Sequence, residues 1–178
     1  MTRIFYDTEF IEDGRTIDLI SIGMVRESDG AELYLVNRDM PVRRIRRHPW
    51  LMKNVVPSLP QGHGDWRNHM PKSWLFDYHD PAVKRHSEIA VMVKRFIQDT
   101  PAAQLWAWYG AYDHVCLAQL FGRMIDLPNG VPMWTNDIQQ EAARLGNPQM
   151  PEQPAGVHNA LADARHNLVR ARFLDSLA

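Results

Sequence analysis

The sequence predicts an α/β fold: a mixed five-stranded sheet, part antiparallel meander and part parallel, with helices on both faces. Two observations predict it. Three strand-like runs, Ile4–Phe10, Ile17–Val25 and Glu32–Val36, are joined by turns too short to hold a helix. From residue 80 onward, helical apolar spacing alternates with short apolar runs, the pattern of right-handed βαβ crossovers. At 178 residues the chain suits one domain with a real core and is short for two, so residues 1–178 are read as one domain.

Ile4–Phe10 is rich in β-branched, aromatic and aliphatic residues. Alternation puts Ile4, Tyr6, Thr8 and Phe10 on one strand face and Phe5, Asp7 and Glu9 on the other. Glu12-Asp13-Gly14-Arg15 and Ser28-Asp29-Gly30 have turn composition. Residues 38–80 then break the pattern, with Pro41, Pro49, Pro57, Pro60 and Pro71 excluding one long helix. Short helices fit at Val42–Arg47 and Trp50–Asn54, and a connection of this length is usually functional.

Asp80-Pro81 reads as an N-cap and first turn, followed by the stripe Val83, His86, Ala90, Val93 and Ile97. Leu105–Tyr109 is continuously apolar, as expected of a strand covered on both faces, and Gly110 ends it. A helix over Tyr112–Met124 turns Val115, Cys116, Leu120 and Met124 inward. Val131–Trp134 is a short strand, and Thr135 or Asn136 caps a helix that Gly146 ends. After a proline-rich loop, the last helix starts near Asn159 or Ala160, with Asn159 the candidate cap, and carries Leu161, Ala164, Leu168, Ala171 and Leu174.

The composition is that of a soluble globular protein, 45% hydrophobic and 23% charged, with no run near the roughly 20 apolar residues of a membrane span. The opening Met1-Thr2-Arg3 leads directly into a strand, which argues against a signal peptide. The single cysteine, Cys116, excludes an internal disulfide and fits a cytoplasmic, reducing setting. Net charge is −1, but residues 38–72 hold eight basic residues against two acids, leaving the remainder acidic. Such a basic arm reads as a solvated helix face, as a phosphate-contacting track with Trp50, Trp66 and Trp74 available for stacking, or equally as a dimer interface. His48, His63, His69 and His79 lack the spacing and the cysteines of a zinc site.

Two carboxylates on one strand face, about 6–7 Å apart, repel each other and are costly to bury, and a hard divalent cation such as magnesium or manganese relieves both penalties. Alone, Asp7-x-Glu9 is more readily a strand end facing water, because the pattern is short and common. Asp113, at the corner after Gly110, is by itself an acid favoured by a helix N-terminus. His158 lies on the loop ahead of the last helix and Asp163 just past its first turn, an arrangement that lets both turn to one cleft.

Taken in order, Asp7-Thr8-Glu9, Asp113, His158 and Asp163 resemble the DEDDh 3′–5′ exonuclease superfamily, which is built on the ribonuclease-H-like fold. The resemblance covers almost the whole chain. More narrowly, the small size, the Asp7–Phe10 opening and the Trp106–Asp113 segment resemble the ribonuclease AS group, exoribonucleases that prefer polyadenylate. The resemblance implies a two-metal phosphodiesterase in which Asp7, Glu9, Asp113 and Asp163 hold two Mg²⁺ ions, replaceable by Mn²⁺, and His158 is the general base. It implies single-stranded RNA 3′ ends as substrate, nucleoside 5′-monophosphates as product and a homodimer. Thr8 and Phe10 match positions that contact the terminal nucleotide. Many relatives carry asparagine just before the third acid; here the segment is Trp108-Tyr109-Gly110-Ala111-Tyr112, which makes Tyr109 the candidate for that place.

Three other readings fit the same residues. A DNA exonuclease of proofreading or repair type differs only in contacts to the 2′-hydroxyl, which no residue here announces. A silent nucleic-acid-binding module sits poorly with five competent site positions, and His158 five residues before Asp163 favours an exonuclease over an endonuclease of ribonuclease H type.

Overall fold

The computed structural model describes residues 1–62 and 74–178. Its centre is the strand β1 (Thr2–Glu12), flanked by β2 (Ile17–Arg26) and β3 (Glu32–Asn37) in the antiparallel meander the turns predict. On its other side β1 pairs in parallel with β5 (Ala103–Ala107), which pairs with β6 (Asn136–Asp137). A two-residue strand, β4 (Val83–Lys84), extends the far edge, so the order is β4-β3-β2-β1-β5-β6. This mixed α/β sheet has the ribonuclease-H-like arrangement, with six strands where five are expected.

The added strand replaces an expected helix start. Asp80 does not cap a helix; its carboxylate accepts the amide of Ala82 in a tight turn. The chain then runs along β3, where Val36 N donates to Ala82 O and Arg38 N to Lys84 O, satisfying edge groups that a helix would leave unpaired. Val83 is drawn into an apolar cluster with Trp74 and Phe76, and helix α3 (His86–Gln98) begins only afterwards. At the other edge, Val131–Trp134 is not a strand: Val131 is buried, Met133 and Trp134 are 60% exposed, and the pairing residues are Asn136 and Asp137. Asp137, rather than Thr135 or Asn136, caps α5 (Ile138–Arg144) by accepting from Gln139 N. Gly146, at φ +83°, lies just past its end, as predicted.

Between these edges, α4 spans Ala111–Gln119 and buries Cys116 and Leu117, with Leu120 buried just beyond. Val115 and Met124 are exposed, contrary to the inward placement expected, because the helix begins and stops earlier and Met124 opens a separate 3₁₀ turn. Apolar side chains from β1, β2, α3 and α4 form the largest core cluster. Phe5 points to the opposite face, onto α5 and the last helix, α6 (Ala160–Asp175). Ile11, Ile20 and Val36 receive the 38–80 insertion, whose helices α1 (Val42–Ile45) and α2 (Pro49–Asn54) bury Ile45 and Leu51.

One close approach fixes α6. The register places Gly23 of β2 opposite Asp7, and a Cβ built at Gly23 would strike the backbone of Ala160 and Leu161. Only glycine lets the start of α6 lie on the sheet here, which brings Asp163 over β1.

Candidate active site

Alternation along β1 sends neighbouring residues to different partners. Thr8, on the α4 face, donates its amide (2.8 Å) and hydroxyl (2.6 Å) to one oxygen of Asp113 in the first turn of α4. Asp7 and Glu9 share the other face with α6. A β-bulge after Glu9 changes the pairing between Glu9 and Phe10, and Phe10 stacks on Tyr112 with ring centroids 5.9 Å apart. The site therefore sits where β1 passes between α4 and α6.

Asn159 caps α6 by accepting from Ala162 N, as predicted, and this sets the direction of the turn before it. Asp163 then accepts the amide of His158 on one oxygen (2.9 Å) and Gln153 Nε2 on the other (2.6 Å). Donor atoms of Glu9, His158 and Asp163 all lie within 4.8 Å of one another. Asp7, Thr8, Glu9, Phe10, Tyr109, Asp113, His158 and Asp163 all line one open cleft of about 360 Å³, so the structure brings together every residue singled out from the sequence.

Electrostatically the cleft is strained in one direction. Burial, then the neighbouring carboxylates, hold Asp7 well above the usual carboxylate range. The same causes push Glu9 up to about 8. Burial raises Asp113 to about 6 against the opposing effect of its Thr8 bonds, and burial also raises Asp163. Among the described residues, Arg170 faces this group, and its charge favours ionised Asp7 and Asp163. Four oxygen-donor acids with their charge largely uncompensated suit a hard divalent cation, which inverts the local cost of ionisation.

Arg170, Gln153, Trp108, Tyr112 and Val157 also line the cleft and were not singled out from the sequence. Arg170 had a legible signal: Asp163, Asn167 and Arg170 recur at helical spacing on α6. Asn167 is fully buried and donates to Tyr6 O, and it accepts from Arg170, whose guanidinium lies 4.4 Å over Trp108. Gln153 had none, being one polar residue in a proline-rich loop.

Tyr109 does not continue a covered strand. It follows β5 at φ +55°, is 62% exposed, and packs edge-on to Trp108. Two of the four arginines in 43–47 are occupied internally: Arg44 pairs with Asp13 and Asp18, and Arg46 donates to Trp74 O. Arg43 and Arg47 are exposed, while Trp66, Arg67, Lys72, His63 and His69 lie outside the described residues.

The family model for the 3′–5′ exoribonuclease Rv2179c-like domain matches residues 70–174. Two curated relatives, the 3′–5′ exoribonucleases Rv2179c and MT2234.1 of two Mycobacterium tuberculosis strains, are each 43% identical over 98% of this chain and 94% of their own. The chain belongs to the Rv2179c-like 3′–5′ exoribonuclease family. It is accordingly an enzyme, a nuclease of the hydrolase class. Among solved structures, S. pombe Pop2p in its Mg²⁺- and Mn²⁺-bound form aligns with 97% of this chain and 81% of its own at 13% identity and a TM-score of 0.49. A chain of the yeast NOT1 MIF4G–CAF1 co-crystal aligns with 96% of this chain and 79% of its own at 10% identity and a TM-score of 0.46. Within the Rv2179c-like family match lie Asp113, His158 and Asp163, while Asp7 and Glu9 precede it and are covered by the full-length relatives.

Proposed function

We propose that this enzyme removes nucleotides from the 3′ end of single-stranded RNA, adenylate-rich tails among them, and releases nucleoside 5′-monophosphates. The convergence of Asp7, Glu9, Asp113 and Asp163 on one cleft, with burial raising all four, is the observation that carries the reading. Their donor set is all hard oxygen, which fits two Mg²⁺ ions, with Mn²⁺ able to substitute. Such a pair, when bound, stabilises both the attacking and the leaving oxygen of an in-line phosphoryl displacement.

The chain's own residues do the rest. His158, facing Glu9 and Asp163, takes the proton of the attacking water as general base. Thr8 holds Asp113 by two hydrogen bonds. Phe10 and Tyr112 form one aromatic wall for the terminal base, Trp108 and Tyr109 another, and stacking of this kind is sequence-tolerant. Residues 1–178 act as one exonuclease domain in which the 38–80 insertion is anchored on the sheet by Met40, Ile45, Leu51, Val55 and Trp74. The exposed apolar residues Met124, Ile125, Met133 and Trp134 support a homodimer. No described helix is long and apolar enough to cross a membrane, and the buried thiol of Cys116 suits a cytoplasmic setting.

A gel time course with magnesium tests this, using 5′-labelled oligo-A, mixed-sequence RNA and oligo-dA, with Asp7→Asn alongside. We expect a ladder shortening from the 3′ end, fastest on oligo-A and absent for the variant. Equal decay of the DNA would move the enzyme to proofreading or repair, and equal rates on both RNAs would remove the adenylate preference.

A further inference from the structure

The insertion reaches the site from behind. Helix α2 and the 3₁₀ turn Val56–Ser58 pack against the loop that carries His158. Ser58 Oγ shares its single proton between the carbonyls of Val55 (2.8 Å) and His158 (2.7 Å), the second across a sequence separation of 100 residues. Asn159, the cap of α6, reaches Ser58 O in return at 3.5 Å. The ring of Trp50 meets the imidazole of His158 edge-to-face, with centroids 4.8 Å apart at 75°.

Each contact answers a need of that residue. His158 sits at φ +66°, a conformation that non-glycine residues keep only where their surroundings over-determine it. Its amide is held by Asp163 and its carbonyl by Ser58, so both ends of the strained residue are tied. The ring would still be free to rotate, and Trp50 closes that freedom. Trp50 is 49% exposed and lies outside the apolar cluster that anchors Leu51 and Met52, so holding α2 in place does not account for it.

We propose that Trp50 and Ser58 are positioning residues for the reaction: the insertion clamps His158 so that its imidazole faces Glu9 and Asp163. This rests on the reading of His158 as general base. It assigns the α2 part of the insertion a task that neither an RNA track nor a dimer contact supplies, because its reach is to a catalytic loop of the same chain.

A double-mutant cycle with single-turnover rates tests it. Trp50→Ala should lower the rate at saturating RNA roughly tenfold, while KM and the magnesium midpoint of thermal stabilisation stay within about twofold. Trp50→Phe should recover most of the loss, and Ser58→Ala should cost a few-fold. In a His158→Ala background, Trp50→Ala should have no further effect, because the group it positions is gone. The imidazole resonances of His158, identified by their loss in His158→Ala, should shift in Trp50→Ala through removal of the indole ring. An equal rate loss in both backgrounds, or no loss in Trp50→Ala beside a crippled His158→Ala, would overturn the clamp. A fully active His158→Ala would instead remove the base assignment, and the clamp with it, a failure the single variant reveals by itself.

Discussion

Replacing Glu9 by glutamine should make the metal-free protein more stable while destroying the enzyme. In the folded chain Glu9 is raised from 4.5 to about 8, first by burial and then by Asp163 and Asp113. A carboxyl whose folded value lies above its unfolded one is protonated in both states below about pH 4.5, where it imposes no penalty. The penalty grows as pH rises from there and is complete above about pH 8, because folding must then hold a charge that burial and its neighbours disfavour. A shift of this size corresponds to about 5 kcal/mol by linkage. Glutamine keeps the shape and stays neutral, although its amide must still be accommodated at every pH, so we expect a net gain of about 2 kcal/mol at pH 8 and a net loss at pH 4.5, where the parent carries no penalty to relieve. For a chain of this length that is a rise in Tm of about 4–8 °C. The assay is thermal unfolding in a chelating buffer at both pH values, repeated with magnesium. Magnesium should stabilise the parent strongly and Glu9→Gln weakly, reversing their order. A variant less stable than the parent at pH 8 without metal, and equally stabilised by magnesium, would refute the electrostatic account of this cleft.

Two further substitutions test how the cleft is positioned. Gly23→Ala should cost about 3 kcal/mol in denaturant unfolding, because its Cβ meets main chain of α6 that cannot move without displacing Asp163; unaltered stability and turnover would break the link between that glycine and the site. Thr8→Val removes one of the two bonds that favour ionised Asp113, so Asp113 should titrate above its present value of about 6. The magnesium concentration for half-maximal rate should then rise more at pH 6.5 than at pH 8.5, and an equal rise at both would point to simple misplacement.

The local elements were legible wherever one short-range rule was unopposed. Alternation along Ile4–Phe10 correctly separated Phe5 from Ile4 and Tyr6, and Asn159 announced the start of α6 by its capping chemistry. The misjudged elements were those where a neighbour in space overruled a local preference. Asp80-Pro81 had the composition of a helix start, but the unpaired edge of β3 took Val83 and Lys84 into the sheet. Val131–Trp134 had strand composition, yet the edge of β5 is met by Asn136 and Asp137.

What the sequence by itself determined is the set of chemical groups: four acids and a histidine, their order, and the strand, corner and helix start that carry them. Alternation, capping and turn propensity act within a few residues, so they can be read from a few residues. Only the tertiary structure decided how those groups meet. It set Gly23 beneath Ala160 so that Asp163 overlies β1, hung Asp113 on Thr8, placed Arg170 of α6 over Trp108 and beside the acids, and brought Ser58 to His158. These are contacts between residues tens to more than a hundred positions apart, created by packing that no local pattern encodes.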